Sequence, residues 1–322
     1  MPIDPAMMLI ELRAGNNITP MLNDEPNGAL RVAEQALAEG DEASSSELEK
    51  MLTDAESSII QFRKAQLSND SDAAQEHLAS ALQSSRNASQ RDHLLEARIR
   101  MEWGLLRASL GESEQAGADL KWAVERLKAL EEGHVWHSLA LLNMAAWHES
   151  MNEHLMALVL YGDFARNGPH TVESVSMARR RAGDILIQIG DMHGALLQFW
   201  IAHHGFRQTG LLDHALEAGL HWLDIGLTSV DSDSKLMTER VEQAKPREAG
   251  EPRKQLNIHP DDVRMLLDWV LESHVEVTGE YRPDLAVLLE ADREISHGGI
   301  ESIIEQNTAS IQDENVLSLF QS

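Results

Sequence analysis

An all-helical stack of paired helices is the fold class this sequence predicts, and three observations predict it. Pairs of glycines seven residues apart recur at Gly104/Gly111, Gly183/Gly190 and Gly219/Gly226, with Ala145/Asn152 as a weaker copy. After the first two pairs comes an i, i+4, i+7 run of small, large and small residues: Ala116, Leu120, Ala123, then Ala195, Phe199, Ala202. The weaker copy is followed by Ala157, Tyr161 and Phe164. Third, Ala and Leu dominate the apolar residues, aromatic residues make up 4% of the chain, and few stretches show the Val/Ile/Thr alternation of a strand. A repeat of this length describes shape before chemistry.

Taken in order, residues 1–25 hold Pro2, Pro5, Pro20 and Gly15-Asn16-Asn17, and read as a loosely ordered, partly disordered lead-in with one short helix near Met7–Arg13. From Gly28 to Glu39 the spacing of Leu30, Ala33, Ala36 and Leu37 is helical, and Gly40-Asp41 ends it. Ser44–Ser46 cap the next predicted helix, which runs to about Ala65. Repeats begin near residues 55, 97, 138, 176 and 212; the first carries Ala74, Leu78 and Ala81 but has Phe62 and Asn69 in the glycine positions. Each glycine of a pair has its own task. The first, in mid-helix, lets the second helix of the pair come close, at the short end of the usual ~8–10 Å separation. The second ends the helix, because glycine alone accepts the left-handed terminal conformation at little cost. Glu112 and Asp191 then fall where a following helix favours negative charge.

This pattern resembles the tetratricopeptide repeat, with a small residue at its eighth position, Gly or Asn at the fifteenth, Ala at the twentieth and an aromatic residue or Leu at the twenty-fourth. Pro169 falls where that family often has proline. The resemblance covers about residues 55–245 and departs from the family at two positions. Its tryptophan is replaced by Arg100, Leu141, Arg179 and Ala215, and its tyrosine by Arg107, His148, Leu186 and Trp222. The family implies a right-handed superhelix of antiparallel helix pairs, here residues 26–245, whose first helices line a concave groove. Carried onto this chain, the groove positions are Arg98, Met101, Leu105, Leu142, Glu149, Arg180, Asp184, Gln188, Leu216, Leu220 and Asp224. Their mixture of apolar and charged residues suits an extended peptide or a partner helix. The alternative reading is that several of them only cover neighbouring repeats.

Beyond Gly226, a helix from about Ser234 to Ala244 is expected to complete the last pair, followed by a Pro/Gly/charged linker at 246–258. His259-Pro260-Asp261-Asp262 reads as a helix start. Residues 259–322 form an acidic helical cap or tail, and Leu317–Phe320 is a candidate segment for docking back into the groove.

Chemistry is hard to find. The chain has no cysteine, which excludes disulfides, thiol nucleophiles and thiolate metal sites. Phosphate-binding glycine loops and the G-x-S-x-G elbow are absent from the sequence. A net charge of -26 opposes nucleic acid and anionic membranes, and no stretch has the roughly 20 apolar residues of a spanning helix. Asp231-Ser232-Asp233-Ser234 has the start of a calcium loop without its glycine, and reads as capping. The seven tryptophans read as packing on apolar helix faces. His134, His137 and His148 offer the one enzymatic alternative, a metal-dependent enzyme on a helical scaffold, although two histidines on one face fall short of the three protein ligands of a catalytic zinc. His203-His204, being adjacent, point to different faces of a helix. The expectation is therefore a cytoplasmic, non-enzymatic scaffold without a cofactor, binding a protein or peptide. The identity of that partner and the oligomeric state are not legible.

Overall fold

A computed structural model describes residues 4–244, 256–273, 284–310 and 317–318. Among them are 17 α-helices and no strand; the one β-type pairing is an isolated parallel bridge between Val230 and Ile258. Adjacent helices pack pairwise in sequence, the arrangement of a helix-pair solenoid. The chain divides into two compact units, 1–147 and 148–322.

In the first unit, α1 (Pro5–Arg13), α2 (Thr19–Asn23), α3 (Gly28–Ala38) and α4 (Glu42–Leu48) share one core. The lead-in expected to be loosely ordered is helical from residue 5. Asp4 caps α1 by accepting from the Ala6 amide at 3.0 Å, and proline occupies the first turn, where no amide partner is needed. Leu9, Ile18 and Leu22 are buried against α3, and Arg13 pairs with Glu39 and Asp41 at 2.8 Å each. The prolines and glycines that suggested disorder separate short helices instead. The single helix expected from Ser44 to Ala65 is also divided. Asp41, not a serine, caps α4 through the Ser44 amide, and α5 (Asp54–Leu67) starts afresh from a Thr53/Glu56 capping box.

Then follow α6 (Ser71–Asn87), α7 (His93–Ser109), α8 (Ser113–Leu130) and α9 (Val135–Ser150), whose last residues belong to the second unit. Asp70 and Asp92 cap α6 and α7. The pairs α5/α6 and α7/α8 close as the repeat predicts: Ala74, Leu78, Ala81, Ala116, Leu120 and Ala123 are all buried. A Cβ on Gly104 would lie 2.8 Å from Leu120 Cγ and 3.1 Å from the Ala116 carbonyl, so α8 sits where only glycine lets it. Gly111, at φ +82°, ends α7 in the left-handed region.

The second unit contains α10 (His154–Gly162), α11 (Val172–Gln188), α12 (Met192–Thr209), α13 (Leu212–Gly226), α14 (Met237–Gln243), α15 (Pro260–Ser273), α16 (Asp284–Glu294) and α17 (Gly299–Asn307). Gly183 repeats the device: its Cβ would stand 2.8 Å from the Phe199 ring, and Gly190 ends α11 at φ +80°. Asn152 takes the same left-handed turn at φ +58°, which asparagine tolerates better than other side chains. Gly226 differs. Its φ is -91°, and its lack of a side chain admits Ile258, whose Cγ2 would be 2.7 Å from an added Cβ.

The end of the array also departs from expectation. The helix predicted to complete the last pair, α14, lies against α12; the helix that crosses α13 at Gly219 is α15, through Leu266. α16 then packs on α13, and α17 on both α15 and α16, so helix pairing continues beyond 259. Asp262, expected only as a favourable charge at a helix start, is buried and accepts from the Met237 amide at 2.9 Å, tying α14 to α15. Asp231 does not cap a helix: it accepts from Asp233 N and Asn257 Nδ2, both at 2.9 Å, beside the Val230–Ile258 bridge. Of the expected linker, 246–255 lies outside the described residues. Of the Leu317–Phe320 segment, Leu317 and Ser318 are described, and Leu317 packs against the core of the second unit.

Three of the residues at the positions where the sequence departs from the tetratricopeptide pattern are arginines: Arg100, Arg107 and Arg179. Arg100 and Arg107 both reach Asp119 of α8, Arg100 at 3.0 Å, and their guanidiniums lie over the rings of Trp122 and Trp103 at 4.3 and 4.5 Å. Arg179 of α11 does the same work with uncharged partners, donating to Gln198 Oε1 at 3.3 Å and to the Phe164 carbonyl at 2.8 Å. Asp119 and Gln198 stand at equivalent places, three residues after the first alanine of their runs.

Two stability outcomes follow. Gly183→Leu should lower unfolding free energy by about 3 kcal/mol in urea titrations, because the Phe199 ring has no room to retreat. Gly162→Ala, with open space around it, should change stability by less than about 0.5 kcal/mol. Equal midpoints for the two variants would refute the packing role of Gly183. Asp119→Ala should cost about 3 kcal/mol, since it strands the shielded Arg100 guanidinium and leaves Arg107 only the outer carboxylate of Glu112 at 3.5 Å; a loss below about 0.5 kcal/mol would mean that the stacked tryptophans and Glu112 suffice to hold them.

Candidate partner-binding faces

The first helices of successive pairs carry the predicted groove positions, and each unit presents its own set. In the first unit Arg98 is half-buried, with its guanidinium 3.9 Å from the Trp136 ring centroid and 5.3 Å from that of Phe62. It is therefore a rivet between α5, α7 and α9. Burial among these rings lowers its pKa. Met101 is 1% exposed and belongs to the interior, so it does not line an open groove: its turn of α7 faces into the packing. Leu105 and Leu142 are half-buried.

The second unit gathers more. Glu149, at the end of α9, accepts from Arg181 at 2.7 Å and from the Tyr161 hydroxyl. Burial, and then the Glu149 carboxylate, raise the Tyr161 pKa, so the hydroxyl stays a donor. Arg180 bonds Glu217 and joins α11 to α13. One turn on, Asp184 is half-buried; burial raises its pKa, against the opposing pull of Arg180, His221 and Arg181. Asp224 is shifted upward too, again through burial, with His221 opposing. Gln188 and Asp224 are exposed, while Leu216 and Leu220 are half-buried against the unit's core. α11 and α13 are thus joined at Arg180–Glu217, the charge of His221 on α13 acts on both Asp184 and Asp224, and Glu149 is bonded to Arg181. The repeat residues Gly104, Ala116, Ala157, Gly183, Ala195, Gly219 and Gly226 are all buried, Gly226 against the non-helical Ile258, and Gly111 and Gly190 at helix ends carry the left-handed turns.

The histidines of the enzymatic alternative do not converge. His134 accepts from the Trp136 amide at 3.4 Å, His137 accepts from the Gly133 amide at 3.0 Å, and His148 bonds Glu153 at 2.6 Å. Among the described residues there is no group of three or more His, Cys, Asp or Glu able to hold a metal ion, and no helix long and apolar enough to cross a membrane.

A different histidine pair carries more weight than its sequence signal suggested. His203, 1% exposed, bonds the Ala215 carbonyl through Nδ1 at 2.8 Å, leans on Gly219, and meets the Trp269 ring edge-on at 5.0 Å between centroids. It stands at the junction of α12, α13 and α15. His204 packs edge-on against Trp200 at 4.5 Å. Burial pushes His203 down to about 3 and His204 to about 4, and the charges of Arg207 and, for His204, Arg166 push the same way. Adjacent histidines gave no periodic signal; the helix crossing at Gly219 is what encloses the first.

No protein-family model and no curated protein matches the chain. Among solved structures it is similar to BtubC (BKLC) from P. vanneervenii, at 14% identity over 73% of this chain and 97% of that one, with a TM-score of 0.40. It is also similar to the apo form of RapI, at 13% identity over 95% of this chain and 94% of that one, with a TM-score of 0.49.

Acid should act on the second unit through His203 and His204. Their folded pKa values lie below the unfolded value of about 6.5, so the unfolded chain takes up protons first. The stability they contribute is intact above about pH 6.5 and is lost as pH falls toward 4 and then 3. Melting temperature should drop across pH 6.5–4 in the wild type and drop less in a His203→Asn/His204→Gln variant, whose substituted side-chain amide keeps a donor for the Ala215 carbonyl. Parallel curves for the two proteins would remove the histidines from the acid response.

Proposed function

We propose that this chain is a non-enzymatic, tetratricopeptide-like scaffold that holds a segment of another protein on the α11–α13 face. The supporting observation is the pair of ion bridges, Glu149–Arg181 and Arg180–Glu217, that lock successive first helices together. Beside those bridges lie half-buried leucines and exposed polar groups at matching turns of α11 and α13. A rigid face with this alternation suits an extended peptide or an amphipathic helix, which contributes apolar anchors between polar contacts. Membership of the tetratricopeptide class is favoured by the glycine-to-large contacts at Gly104–Leu120 and Gly183–Phe199, and by left-handed helix ends at Gly111, Asn152 and Gly190. The arginines at the family's aromatic positions argue for a divergent branch. A cytoplasmic location fits the acidic, cysteine-free composition.

The reading is tested by parallel affinity capture with the wild type and a Leu216→Glu/Leu220→Glu variant of matched melting temperature. Proteins retained by the first and lost from the second are the expected result. An identical captured set would sink the assignment of this face.

A further inference from the structure

Helix α10 is apolar on every side, and the chain covers only part of it. From His154 to Gly162 it has no Asp, Glu, Lys or Arg. Its inner residues Ala157 and Tyr161 are buried, and it packs on α11. On its outer side Leu155, Met156 and Val159 are 72%, 51% and 63% exposed, and Met151, in the turn leading into the helix, is 43% exposed. Helix α12, likewise uncharged from Met192 to Phe206, has Leu196, Phe199, Trp200 and Phe206 all buried. A helix that is hydrophobic all round is ordinarily covered all round. By that standard α10 lacks a neighbour.

A bilayer is a poor candidate. Nine residues fall far short of a span, and the charge of -26, with Glu153 and Asp163 at the two ends of the helix, opposes an anionic surface. A partner selected by charge finds nothing on this face to select it. A second copy of the chain matches it in kind, apolar on apolar, and a two-fold axis uses every side chain twice. The size also fits. Side chains open to this degree present roughly 400 Å² together, in the range of the largest patch on a typical monomer. Doubled across a two-fold, that is roughly 800 Å² of apolar contact before any polar rim is counted, the scale of a weak, reversible interface. Leu155 and Val159, four apart, form one ridge, and two such ridges interlock at a crossing angle of about -50°.

We propose that α10 is the two-fold contact of a homodimer, in which the Leu155–Val159 ridge of one protomer crosses the same ridge of its partner, with Met156 beside it. Each protomer has a charge of -26, so the two repel at a distance and the dimer forms only as concentration rises. Salt screens that repulsion and leaves the apolar contact in place, so salt strengthens the dimer. The contact uses none of the α11–α13 residues, and it stands or falls independently of the docking role proposed above.

The test is sedimentation velocity on the full chain, from about 1 to 100 µM and at low and high salt. The expected result is a shift from one 35.8 kDa chain toward two as concentration rises. The dissociation constant should be on the order of 10 µM and fall several-fold between about 50 and 500 mM NaCl. Leu155→Glu/Val159→Glu, at positions open to water, should keep the melting temperature and raise that constant by about 10-fold or more. Met7→Glu/Ile10→Glu makes the same change at two exposed residues of α1, and should alter it by less than about 2-fold. Amide hydrogen exchange needs no variant: in the wild type it should slow along α10 as the dimer forms, and not along α1. A wild type that stays monomeric at about 100 µM in high salt overturns the homodimer and leaves the face to a foreign protein. Equal losses in the two variants mean unspecific adhesion, and a dimer indifferent to the Leu155/Val159 change uses another face; either result also overturns the proposal.

Discussion

The closeness of paired helices is the constraint on which everything else in this protein depends. At Gly104 and Gly183 the partner helix brings Leu120 and Phe199 to within 2.8 Å of where a Cβ would stand. Those large residues are fully buried because nothing keeps them out. Burying a leucine or phenylalanine side chain is worth about 1.5–3 kcal/mol, and the glycine that permits it gives up about 1 kcal/mol of helix propensity. The exchange favours the pair. Two alanines flank each large residue at intervals that keep all three on one face, so the same helix can also be approached by the next pair.

Close packing then sets the terms for polar groups. On the first helices of two pairs this chain has Arg100, Arg107 and Arg179 directed at the partner helix or the segment before it. A guanidinium can occupy such a place only if its charge is met. Asp119 meets two of them, and Gln198 with a main-chain carbonyl meets the third. Tryptophan faces complete the arrangement around Arg100 and Arg107. The same requirement explains why the arginines of α11 face acids of α9 and α13. Ion pairs there fix the spacing of the first helices.

Burial also gives His203 its character. The histidine lies where α13 thins to Gly219 and where α15 crosses, so it is enclosed on three sides and stays neutral. Its Nδ1 hydrogen bond to Ala215 is a directional link between α12 and α13, set in a core of leucines, alanines and aromatic rings. A neutral buried histidine makes a good structural donor near neutral pH and a poor one in acid.

Periodicity alone was sufficient to specify the pairs α5/α6, α7/α8 and α11/α12, the small-to-large contacts at Gly104 and Gly183 and the left-handed ends at Gly111 and Gly190, because each depends on neighbours within one hairpin. Local signals failed where distant chain decides. Pro and Gly in the first 25 residues do not reveal that Leu9 and Leu22 have α3 to pack on, and nothing near Gly226 announces that Ile258, more than thirty residues later, fills the space beside it. Of the predicted groove positions, Arg180 reaches across to Glu217 of α13, while the sequence could not foresee that Met101 turns inward or that Arg98 is clamped between Phe62 and Trp136. Which side of a helix is free depends on what crosses it, and crossings are tertiary. The amino-acid order determined that this chain stacks helices in pairs; only the packed structure decided which charges remain open on their surface.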